Sequence, residues 1–112
     1  MNNDLYGDSN RVIIPKNLEE CFLALNKQLA EEDIEVLKSI ASKEDLISYH
    51  HGLGEWIRNT WFLWVGSVLN RYFEERGVDH PDDISDRIIR YYHDWLNGNH
   101  EEWRGFDQNM RP

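Results

Sequence analysis

From Leu18 to Trp95 the apolar residues return every three or four positions, and nowhere do they settle into alternation. That period belongs to helices, and it commits the chain to burying helical stripes against one another. The predicted fold is all-α: a single small bundle of four to five helices with short connections around a long central helix. At 112 residues the chain suits one domain.

The lead-in, residues 1–14, mixes Asn, Asp, Gly and Ser with a brief "VII" patch and reads as extended. Helical spacing begins at Leu18 and continues through Phe22, Leu25 and Leu29. Asn17 with Glu20 three residues later has the form of a capping box, so the first helix spans 18–29. In "EEDIEVLKSIAS", Ile34, Leu37, Ile40 and Ala41 share a second stripe. Its acids fill the first turn, where the helix dipole favours them. Ser42 and Asp45 are caps for a short third helix ending near His50, and Gly52 and Gly54 then form a corner.

Beyond that corner the pattern is strongest. Ile57, Trp61, Trp64, Val68 and Tyr72 fall on one face, widened by Val65, Leu69 and Phe73, which predicts an unbroken central helix starting at Glu55. Gly77 is a C-terminal cap candidate, and Pro81 with Asp82 and Asp83 suits the start of the next helix. That helix runs over 81–97, carries Ile84, Ile88, a tyrosine at 91 or 92, and Trp95, and stops at Gly98. The remaining tail, 99–112, shows no period and is expected to dock loosely.

Charge narrows the function classes. A formal net charge of -9 disfavours nucleic acid, which is held by clustered Lys and Arg, and favours a basic protein partner. Between Asn17 and Asp45 eight acids face three lysines. Glu31, Glu32, Asp33 and Glu35 are therefore candidate partner-binding residues. Trp56, which falls off the main stripe, either packs on a loop or offers an exposed aromatic anchor of the kind that dominates interfaces.

The N-terminus lacks a signal-peptide pattern, and the apolar run "TWFLWVGSVL" is far shorter than the roughly 20 residues that cross a bilayer, so no membrane partner is expected. The single cysteine, Cys21, lies in an apolar stretch as a buried thiol would, and a reducing cytoplasmic setting follows. No nucleophile elbow, phosphate loop or repeated Cys/His spacing appears. No catalytic residue, cofactor or metal ligand is assigned.

One polar constellation stands out. Arg58 and Asn59 interrupt an apolar helix just after the glycine corner, and the guanidinium is suited to clamping Asp82, Asp83 or Asp86. With His50, His51 and His80 these residues form either a structural network tying the corner to the "HPDD" turn or a ligand pocket. In the pocket reading the protein is a small-ligand or metal-dependent enzyme, with His51, Glu55, His80 and Asp83 as drawable ligands. A self-associating subunit is a further alternative.

The stretches "YHHGLGEWIRNTWFLW" and "YFEERGVDHPDDISDRIIRYYHDWL" resemble a family of small bacterial domains of uncharacterised function, over roughly residues 15–96. The resemblance implies that His51, Gly54, Arg58, Asn59, Trp61, Trp64, His80, Pro81, Asp82, Asp83 and Ser85 are its signature positions, and it implies no activity. In size, acidity and helical make-up the chain is also similar, by class, to immunity proteins that neutralise a cognate bacterial toxin in the cytoplasm.

Overall fold

The computed structural model describes residues 13–110, so the lead-in up to residue 12 and the last two residues lie outside it. Among the described residues there are six α-helices and one 3₁₀ helix, and no strand. The order is α1 (Leu18–Gln28), α2 (Glu31–Lys38), the 3₁₀ segment (Lys43–Tyr49), α3 (Leu53–Thr60), α4 (Val68–Glu74), α5 (Pro81–Leu96) and α6 (Glu101–Gln108). The all-helical class is as the periodicity predicts. The count of four to five is too low, for two physical reasons.

First, the helix predicted to continue from Glu55 ends at Thr60. Trp61 caps it, Phe62 turns to φ 56, and the Leu63 amide donates back to the Arg58 carbonyl at 3.0 Å. This six-to-one closure is the Schellman arrangement, normally carried by glycine. Two other helices here end in that way with Gly77 and Gly98 in the left-handed position. A new helix then starts at Val68. The Ser67 amide donates to the Asn70 side chain at 2.8 Å, in a reciprocal capping box. The stripe therefore splits: Trp61 and Leu63 are buried, whereas Trp64, Val65 and Val68, expected in the core, are 56%, 80% and 49% exposed.

Second, the tail is not loosely docked. Residues 101–108 form α6, which carries buried Trp103 edge-on to Phe22, with ring centroids 5.2 Å apart. Tyr72 Oη donates to Asp107 at 2.5 Å, and Arg76 Nε donates to the Asp107 carbonyl at 2.8 Å. Two aromatics three residues apart, Trp103 and Phe106, make a small apolar face that is enough to seat two turns of helix.

The central element is α5, which packs against α1, α2, the 3₁₀ segment, α3, α4 and α6. His80 caps it, its ring nitrogen accepting from the Asp82 amide, and Pro81 occupies the first turn. Ile84, Ile88, Ile89 and Tyr92 face a core shared with Leu18, Phe22, Leu25, Ile57, Trp61 and Phe73. Each such side chain stabilises the fold by about 1.5–3 kcal/mol on burial. Lys43 of the 3₁₀ segment pairs with Asp94 on α5 and donates to the Arg90 carbonyl.

Candidate functional site

Two regions gather the polar and aromatic residues singled out above. The first is the joint between α3 and the start of α5. Arg58 is buried, at 7% exposure. Its Nη1 donates to Ser85 Oγ at 2.8 Å, its Nη2 to the His50 carbonyl at 3.4 Å, and its Nε stands 3.4 Å from an Asp82 oxygen. Ser85 in turn donates to the Asp82 carbonyl at 3.1 Å.

A guanidinium placed beside a helix N-terminus meets the positive end of the dipole. Asp82 and Asp83, in the first turn of α5, offset it. Gly54 completes the joint: a Cβ there would lie 3.0 Å from Arg58 Nη1 and 3.5 Å from the Tyr49 carbonyl. The corner glycine is thus needed for close approach, not for an unusual backbone angle.

The joint takes in Arg58, Asp82 and the backbone of His50, and adds Ser85 and Gly54. His51, Asn59 and Asp83 are exposed and take no part in the clamp. His80 caps α5 and touches Trp64 edge-on, 6.4 Å between centroids. Asp86, a weighed mate for Arg58, does not pair with it. Of the pocket reading, His80 does reach the joint, its Nδ1 4.0 Å from the second Asp82 oxygen, whereas His51, Asn59 and Asp83 stay outside it. Among the described residues no three His, Cys, Asp or Glu side chains gather as metal ligands would.

The second region is an apolar groove of about 320 Å³ between the end of α1, α2, the 3₁₀ segment and α3. Leu29, Val36, Tyr49 and Leu53 form its surface, Trp56 makes one wall, and Asp33 stands on its rim. Trp56 is half-buried and braced edge-on against Trp61, 5.6 Å between centroids. Val36 is 57% exposed, so the apolar floor is reachable. Glu31, Glu32, Asp33 and Glu35 are all exposed on α2, and none is ion-paired among the described residues.

The reading of the sequence missed the knuckle 61–66, where Phe62, Trp64 and Val65 are exposed. The signal for it was Gly66 followed by Ser67 and Asn70. Cys21 is fully buried, and burial raises its thiol pKa well above the ordinary value, so it is held in the unreactive protonated form.

The described residues thus form an all-helical domain with a buried arginine clamp and, apart from it, an apolar groove lined by one acid, Asp33. The chain belongs to the family described as Domain of unknown function (DUF6794), whose model matches residues 14–96. That span takes in α1 to α5, both parts of the clamp and the whole groove, and leaves α6 outside. The comparisons with curated proteins and with solved structures found no match. Among the described residues no helix is long and apolar enough to cross a membrane.

Proposed function

We propose that this protein is a cytoplasmic binding protein of immunity type, which docks and neutralises a basic toxin domain through α2 and the groove beside it. The observation that carries this reading is the meeting of Trp56 with the acidic helix: Trp56 walls the groove and Asp33 stands on its rim. An aromatic braced at the edge of an apolar groove is the usual form of an interface anchor, and unpaired acids on the helix that lines the groove speed the encounter with a basic partner. The overall charge of -9 acts in the same direction.

In this reading the Arg58 joint is scaffold. It fixes α3, and so Trp56, against α5. The test is capture of a partner from native cells with the tagged protein, followed by mass analysis and a salt series. A stoichiometric basic partner, released as salt screens the contact, supports the proposal. A partner retained unchanged by a Glu31→Lys, Glu32→Lys, Asp33→Lys variant contradicts the assigned surface.

A further inference from the structure

A larger cleft, about 780 Å³, lies where α6 closes over α5 and the 3₁₀ segment, and the docking proposal uses none of it. Its volume falls within the range of small-molecule sites. Its walls carry opposite charge. Arg87 and Arg90, one turn apart on α5, stand with Lys43 on one side, and Glu101 and Glu102, from the first turn of α6, stand on the other.

With 21 acids against 12 bases, an arginine in this chain has carboxylates in plenty. Among the described residues, neither Arg87 nor Arg90 has one in ion-pairing range. Helical mates four positions away exist for both. Asp94 is engaged by Lys43 instead of Arg90, and Asp83 does not pair with Arg87. Arg87 is held on the aromatic floor, its guanidinium 5.3 Å over Phe106 and its Nη1 donating to Tyr91 Oη at 3.2 Å. Both arginines are half-buried and line the cleft, and a guanidinium is by its geometry suited to a carboxylate.

Gly105 is an independent sign. It sits inside α6, where glycine costs about 1 kcal/mol relative to alanine. The fold does not require it: a Cβ there would meet nothing within 4 Å. It lines the cleft, and what the missing side chain achieves is open space between the charged walls.

We infer that this cleft binds a small zwitterion, a dipeptide with both termini free, with its carboxylate on Arg87 and Arg90 and its ammonium at Glu101 and Glu102. A simple anion would meet the acidic wall, and a simple cation would meet the arginines. A molecule carrying both charges satisfies both walls, with the carboxylate end at the half-buried arginines, where the attraction is stronger, and the ammonium end at the exposed glutamates.

The test is calorimetric titration of the full chain with a panel of free dipeptides and their N-acetyl and C-amide forms. At least one free dipeptide should bind saturably, and either blocking group should weaken it at least about tenfold, near 1.4 kcal/mol. Gly105→Leu, which fills the cleft with a better helix former, should abolish binding while the melting temperature holds or rises. Arg90→Ala should weaken binding by a similar factor. The inference is overturned if no free dipeptide binds at millimolar concentration, if N-acetylated forms bind as tightly as free ones, or if Gly105→Leu binds unchanged.

Discussion

Arg58 and Ser85, on different helices, meet at 2.8 Å in the buried joint between α3 and α5. The bond is one of three that spend the guanidinium on structure: the others go to the His50 carbonyl and to Asp82. An arginine held this way orients the corner, and Trp56, two residues before it, inherits that orientation.

Replacing Arg58 with alanine should lower stability by about 2–3 kcal/mol, because charge-assisted bonds are lost and the buried Ser85 hydroxyl loses a partner. Arg58→Lys should recover little, since an ammonium cannot reach three directions from one plane. Urea denaturation checks both. Stability unchanged in Arg58→Ala would mean that the joint is held by packing alone.

The two corner glycines separate cleanly. Gly54→Ala puts a methyl 3.0 Å from the Arg58 guanidinium and should destabilise by about 1–3 kcal/mol. Gly52→Ala meets nothing within 4 Å and should be neutral or raise stability by about 0.5 kcal/mol, through a stiffer unfolded chain. The same denaturation measurement decides, and equal effects at both positions would contradict the clamp.

Phe62 holds a left-handed conformation that costs an ordinary residue about 1–2 kcal/mol, at a position where the other helices use Gly77 and Gly98. Phe62→Gly should therefore raise the melting temperature, although it deletes a large side chain that is 48% exposed. A fall would show that Phe62 packing outweighs the backbone strain.

Alkaline pH probes the buried phenols. Burial pushes Tyr92 up to about 12 from an ordinary 10, and burial, with the hydrogen bond to Asp107, also raises Tyr72. Above pH 10 the unfolded chain releases these protons while the native state keeps them. Their contribution is therefore intact below 10 and is lost as pH rises toward 12 and beyond. Urea midpoints taken across that range should fall, and Tyr92→Phe should fall less steeply. Identical slopes would remove Tyr92 from the account.

The starts of α1, the 3₁₀ segment and α5 were legible because their signals are local, whereas α3 begins at Leu53, two residues before the expected Glu55. Asn17 accepts from the Glu20 amide at 2.9 Å, Ser42 accepts from the Glu44 amide, and Pro81 opens α5. The Glu20 carboxylate reaches the Lys16 amide, one residue short of the reciprocal capping-box bond. The break at Trp61–Ser67 was marked only at its far end, by Gly66, Ser67 and Asn70: apolar spacing runs straight through it, and its cause, a phenylalanine acting as a glycine, breaks the usual residue preference. The α6 helix was hidden for the opposite reason: its anchors, Trp103 and Phe106, are too few to set a period. Of the candidate site, the acidic helix and Trp56 were readable separately. That they share one groove depends on how α2 and α3 pack, which no local signal encodes.

The most direct test of the central claim is the association rate of the purified partner with the wild type, with Glu31→Lys/Glu32→Lys/Asp33→Lys, and with Trp56→Ala. The charge reversal should slow association at least about tenfold at low salt and lose that difference at high salt, whereas Trp56→Ala should act mainly by speeding dissociation. Rates that all three proteins share would contradict docking through α2 and its groove.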